Sequence, residues 1–246
     1  MTNQFGIEVC PILGVDIAEV DMETLKAFTM SHLSQLSGKY ICVANVHTTV
    51  TAYENEAYRA VQNGAVLAIP DGGPLSSVGR KRGYTTMQRT TGPSYMQEML
   101  KEGYRHFFYG STEETLEKMK TLLAEEYPDA VVAGMYSPPF RALTPEEDEK
   151  VIRMINEAEA DFVWIGLGAP KQEYWMAEHK DKVHGLMVGV GAAFDYLAGN
   201  IDRAPEWMQK HNLEWLYRLM QDPKRLFYRY FHTNTSFIWN AVIRKK

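Results

Sequence analysis

A doubly wound α/β fold with a mainly parallel, Rossmann-like sheet is what this sequence predicts, and three observations predict it. Six short apolar runs rich in β-branched and aromatic residues recur along the chain. Segments with apolar residues every three or four positions separate them. The runs end in glycines, amides and small polar residues. Strands buried on both faces read as continuous apolar runs rather than alternating ones, and helices between them give βαβ units.

In chain order the runs are 40–46 (YICVANV), 65–72 (AVLAIPDG), 104–110 (YRHFFYG), 130–134 (AVVAG), 161–168 (DFVWIGLG) and 184–191 (HGLMVGVG). The helical patterns cover 22–36, 55–64, 95–103, 112–128, 145–160 and 170–180. Ser111 and Glu114 have the spacing of a capping box, and Pro145 with Glu146 and Glu147 suits a first helical turn. No repeat or low-complexity linker interrupts the pattern. One α/β domain is expected over residues 1–204, with a helical C-terminal appendage over 205–246.

Bulk properties narrow the classes of function. The 246 residues are 45% hydrophobic, an ordinary globular composition. No run of about eighteen apolar residues is present, so no membrane-spanning helix is expected. The N-terminus lacks the basic start and apolar core of a signal peptide. Cys10 and Cys42 form neither a disulfide framework nor a metal-ligand spacing, which suits reduced thiols in the cytoplasm. A net charge of −5 argues against a nucleic-acid partner. Residues 218–246 nevertheless hold seven Lys/Arg against the single acid Asp222, a balance of +6 that leaves −11 on the remainder. An acidic body with a basic tail points to an anionic partner for the tail.

In a doubly wound sheet the ligand lies beyond the C-terminal ends of the strands. The glycines there (Gly72, Gly110, Gly168 and Gly191) suit backbone N–H groups around a phosphate. Neither GLGAPK nor GVGAAF completes the dinucleotide fingerprint, and a Walker loop is absent. Asp71, ending an apolar strand before two glycines, is read equally well as a general base, a ribose ligand or an Asp-Gly turn. Lys171 and Gln172 open the helix after Pro170, where a diphosphate or only solvent would meet them. Arg89 precedes a Gly-Pro helix start, and its fork suits phosphate. Asp195 serves as a ligand contact or as a cap, and His47 stands at a strand end. The remaining histidines show no metal-ligand spacing. No D-x-D triad occurs, so chemistry without a metal or cofactor is expected.

Taken together, IPDGGPL (69–75), RTTG (89–92), GLGAPKQEYW (166–175), GVGAAFDYLAGNIDRAP (189–205) and LEWLYRLMQDPKRLFYRY (213–230) resemble the WecG/TagA/CpsF glycosyltransferases in order and spacing. The resemblance covers nearly the whole chain. It implies an inverting, metal-independent transferase that moves ManNAc or another hexose or hexosamine from a UDP-sugar to a polyprenyl-diphosphate-linked sugar. Such work belongs to teichoic acid or exopolysaccharide synthesis at the inner face of the cell membrane. It further implies Asp71 as base, Arg89 near the diphosphate, Gln172 at the active site and Asn45 at a substrate-binding strand end. The family's frequent T-P-N-A-E reads V-A-N-V-H here, with Val43 for the threonine and His47 for the glutamate. Donor and acceptor identity therefore stay open, as does homo-oligomer formation.

For the tail, Asp222-Pro223 predicts a new helix start, with Arg225 and Arg229 on one face. Arg218 would join that stripe if the preceding helix ran on coaxially. The arginines are expected on lipid phosphate or substrate diphosphate, and the aromatics at an anionic membrane surface. Two rival readings are another nucleotide-dependent enzyme on the same sheet and a non-catalytic glycolipid-binding module.

Overall fold

The computed structural model describes residues 1–245 of the chain, with Lys210 by its backbone alone. Lys246, the last basic residue counted in the tail, lies outside the described residues. Eight strands form a mixed, mostly parallel sheet in the order β1-β2-β4-β3-β8-β7-β5-β6, an α/β Rossmann-like arrangement. They are β1 (Val9–Ile12), β2 (Val15–Ala18), β3 (Tyr40–Ala44), β4 (Leu67–Pro70), β5 (Arg105–Gly110), β6 (Val131–Tyr136), β7 (Phe162–Gly166) and β8 (Leu186–Gly189). All six apolar runs contain a strand. The chain groups into two compact units, one of residues 1–23, 43–91 and 202–246, the other of 24–42 and 92–201.

In the first unit, β1 and β2 make an antiparallel hairpin that the sequence pattern did not reveal. Its two-residue turn is Leu13-Gly14, both at positive φ. That geometry fits the right-handed twist of a hairpin, but Leu-Gly carries none of the usual Asn-Gly signal. β2 continues in parallel with β4. Helix α2 (Val46–Glu54) follows β3 directly, although Val46, Thr48, Thr49, Val50 and Thr51 are β-branched. A capping box starts it: Thr48 N–H donates to Asn45 Oδ1, and Asn45 N–H donates to Thr48 Oγ1. Packing against α12 (Pro223–Phe237) then overrides weak helix propensity. α3 (Glu56–Asn63) and α4 (Gly73–Lys81) complete this part of the unit.

The C-terminal segment is helical throughout, with α10 (Glu206–Lys210), α11 (Glu214–Gln221), α12 and a π-helical turn over Ile238–Ile243. Asp222 caps α12 by accepting from Arg225 N–H, as Asp-Pro predicted. The coaxial condition fails, however. Fifteen residues of continuous helix would separate Trp215 from Tyr230 by about 22 Å. Their ring centroids are 6.1 Å apart, so the chain folds back at Asp222 and Arg218 leaves the Arg225–Arg229 stripe. Leu226, Phe237 and Ala241 are buried, and Arg82 ties the segment down by donating to Pro11 O and Ala241 O.

The second unit holds the parallel run β8-β7-β5-β6 and the start of β3. Trp164, Phe107, Phe108 and Phe162 fill its core, with Tyr95 donating or accepting at Thr29 Oγ1. Its helices are α1 (Met22–Leu36), α5 (Gly92–Leu100), α6 (Glu113–Glu126), α7 (Pro145–Glu157), α8 (Lys171–Glu178) and α9 (Ala193–Leu197). Pro145 opens α7 behind a Thr144–Glu147 capping box. The cap of α6 is Thr112, not Ser111, because Ser111 takes a left-handed φ of 59° while Thr112 is extended and accepts from Thr115 N–H. Pro170 stands one residue before α8, so Lys171 is its first helical residue.

Candidate functional site

Asp71 follows the last residue of β4, a strand buried at every position, and its own N–H donates to Ala44 O. The next residue, Gly72, has φ 132°, a conformation that favours glycine and turns the chain into α4. At Gly73 a side chain is excluded for another reason: a Cβ there would sit 1.4 Å from Asn212 Oδ1. The sequence therefore places a carboxylate on a tight, glycine-lined step at the end of a rigid strand.

Five charged groups from four separate chain segments gather around that step. Burial, and next the Glu214 carboxylate, push Asp71 up from 3.8 to about 6, against the pull of Arg89, Arg218 and Arg203. Arg89, Arg218 and Arg203 act on Asp71 as charges through space. Arg89 instead gives its Nη2 to Glu214 Oε2, a pair in which each side chain is 23% exposed. Arg203 Nη2 donates to Thr91 Oγ1 at 3.3 Å. Three cations against two carboxylates leave a net positive site, and a carboxylate that titrates near neutrality is suited to proton abstraction.

Next to this cluster a cavity of about 500 Å³ is lined by Arg80, Arg89, Gln88, Gln209, Asn212 and Glu206 among others. Two guanidinium groups and three amides make it a polar, hydrogen-bonding recess rather than an apolar pocket. Arg80 is itself held by donating to Met87 O at 2.8 Å.

His47 lies on the first turn of α2, and its Nδ1 is buried with no hydrogen-bond partner among the described residues. Burial, then Arg229 and His232, hold its pKa down at about 4, so the ring is neutral. Asn45 spends its Oδ1 on the α2 cap. The three tail arginines occupy three environments. Arg218 lies within electrostatic reach of Asp71, and Arg229 reaches His47 and lies over the Tyr230 ring. Arg225 is exposed and paired with Asp222 through Nε at 2.5 Å.

The other residues singled out from the sequence belong to the second unit. Gln172 is buried at the start of α8, accepts from Gly191 N–H at 3.1 Å and donates to Glu173 Oε1 at 2.8 Å. Lys171 is exposed beside it. Gly110 is packed so closely on β7 that a Cβ would meet the Gly166 carbonyl carbon at 2.6 Å. Gly168, at φ 76°, has open space around its Cβ position. Asp195 accepts from Asn200 Nδ2 and so closes the turn after α9.

Two members of the Asp71 cluster, Arg203 and Glu214, were not identified from the sequence. Both lie inside blocks already quoted, R-A-P and L-E-W-L-Y-R-L, yet neither residue type at those positions signals a partner more than a hundred residues earlier. No curated protein matches the chain. The model of the glycosyl transferase WecG/TagA/CpsF family matches residues 10–246, essentially the whole chain. Such enzymes are glycosyltransferases of cell-surface polysaccharide synthesis, with a nucleotide-sugar donor and a lipid-linked acceptor. The chain belongs to the glycosyl transferase WecG/TagA/CpsF family.

Proposed function

We propose that this chain is an inverting, metal-independent transferase that moves ManNAc or another hexose or hexosamine from a UDP-sugar to a sugar on a polyprenyl diphosphate. The observation that carries the reading is Asp71, a strand-end carboxylate lifted to about 6 within a cluster of three arginines. In the step envisaged, the acceptor hydroxyl oxygen attacks the anomeric carbon and its proton passes to Asp71. The bond from that carbon to the diphosphate oxygen breaks, and UDP departs with the electron pair. Arg89 and Arg218 stabilise the negative charge that gathers on the diphosphate, the work a metal ion would otherwise share. Gln172, whose amide is fixed by Gly191 and Glu173, is expected to serve the reaction as well.

On this reading, residues 205–246 act as an appendage that rests on the inner face of the cell membrane. Phe227, Tyr228 and Phe231 are 62%, 79% and 66% exposed, and Ile238 and Trp239 are exposed beyond them. Aromatics at the interface with arginines on lipid phosphate would hold a chain in which no described helix is long and apolar enough to cross a membrane.

The test is a screen of UDP-sugars against a synthetic sugar-diphospholipid, read by mass spectrometry with EDTA present. Asp71→Asn should then lower turnover roughly 10²–10⁴-fold while UDP-sugar binding persists. Near-normal turnover in that variant, or strict dependence on an added divalent ion, would overturn the assignment. For the membrane role, removing the tail is a poor test because Leu226 and Phe237 are core residues of the first unit. Phe227→Ser with Phe231→Ser leaves the core intact. It should weaken sedimentation with anionic vesicles and slow transfer to a long-chain acceptor more than to a short-chain one.

A further inference from the structure

We propose that Glu214 is a positioning residue for this site: by holding the Arg89 guanidinium, it keeps that cation from closing on the Asp71 carboxylate. The inference rests on Asp71 being the base.

A guanidinium beside two carboxylates pairs with the one that offers the better geometry, and the loser keeps its basicity. Arg89 has made that choice: its Nη2 donates to Glu214 Oε2, while it touches Asp71 only through space. Two features favour Glu214. It is the acid in the first turn of α11, a helix whose N-terminus has no side-chain cap and whose positive end stabilises a carboxylate. Its side chain and that of Arg89 are equally shielded from solvent, so the pair is little screened. An arginine that instead paired directly with Asp71 would lower its pKa by roughly one to three units and weaken it as a base. Besides Arg89, the charges that act on Asp71 are Glu214 itself, whose carboxylate also raises it directly, Arg203, before α10, and Arg218, one turn along α11 from Glu214. Because the pair uses Nη2 alone, Nε and Nη1 of Arg89 stay available as donors to diphosphate oxygens. Glu214 thus separates two duties that would conflict, keeping a cation ready for the leaving group without quenching the base.

The deciding measurement is a carbon-13 NMR titration of the Asp71 carboxyl in the full-length chain, with the resonance assigned by its loss in Asp71→Asn. The wild type should titrate near 6. In Glu214→Gln the value should fall by roughly one to three units. Glu214→Asp, which keeps the charge, should stay near the wild type. In an Arg89→Met background the Glu214→Gln shift should shrink to the part that Glu214's direct repulsion supplies, because the cation being restrained is gone. No fall in Glu214→Gln, an equal fall in both backgrounds, or an equal fall in Glu214→Asp would each overturn the proposal. The acid limb of kcat/KM distinguishes this failure from failure of the base assignment. If the limb ignores a shift that NMR records, Glu214 positions Arg89 as proposed and Asp71 is not the base.

Discussion

The strand end at Asp71 and the strand ends around Gln172 look alike in sequence, both glycine-rich and both rich in polar residues, but they are built on opposite principles. At the end of β4 the polar groups are charged, and the carboxylate lies within the electrostatic reach of three arginines. At the ends of β7 and β8 the Gln172 amide links the Gly191 N–H to the buried Glu173 carboxylate by direct hydrogen bonds. The glycines differ as well. Gly72 and Gly110 both take a positive φ, but only Gly110 also permits a close approach between strands. One end sets its carboxylate among arginine charges; the other ties its carboxylate to an amide that is itself held by a backbone N–H.

Substitutions that treat the two ends alike should break this comparison, and the largest difference is in rigidity. Gly110→Ala should lose about 2–4 kcal/mol, because a Cβ overlaps the Gly166 backbone and φ is 127°. Gly168→Ala, where only the φ of 76° is unfavourable and the surroundings are open, should lose about 1–2 kcal/mol. Chemical denaturation measures both, and equal losses would refute the close-packing account of Gly110.

The next effect tests the Asp71 charge. Asp71 binds its proton more tightly in the folded chain than in the unfolded one, since its pKa is raised from 3.8 to about 6. Its contribution to stability is therefore full below pH 3.8 and is lost as the pH rises through about 6. Asp71→Asn should stabilise the chain at pH 8 by roughly 2 kcal/mol, and the gain should vanish at pH 4. A gain that is the same at both pH values would show that the carboxylate is not desolvated. The smallest effect concerns the amide end. Gln172→Ala leaves the Gly191 N–H and the buried Glu173 without this partner, a loss of roughly 1–2 kcal/mol that chemical denaturation measures.

Much of this arrangement was legible before any fold was known. The strand runs, the helix starts at Pro145 and Pro223, and the carboxylate at Asp71 are all local signals, set by side-chain periodicity and by residues that fix φ or cap a helix. The misreadings were also local in origin. Ser111 has the spacing of a cap but not the backbone for one. The β1–β2 hairpin turns on Leu13-Gly14, a pair that sequence patterns do not favour. Helix α2 contradicts the β preference of its threonines and valines because its cap and its packing on α12 outweigh propensity. The break at Asp222 was read correctly as a helix start, yet a cap residue does not specify the angle at which the next helix leaves.

By itself, the sequence determined the α/β class, the family and which strand end carries a carboxylate, because these depend on patterns within a few residues of one another. Only the tertiary structure decided what that carboxylate experiences. Residues 71, 89, 203, 214 and 218 are strangers along the chain, and electrostatic interaction depends on distance in space. The raised pKa of Asp71, the Arg89–Glu214 pair and the divergent settings of Arg218, Arg225 and Arg229 follow from how helices α10 to α12 fold back within the first unit.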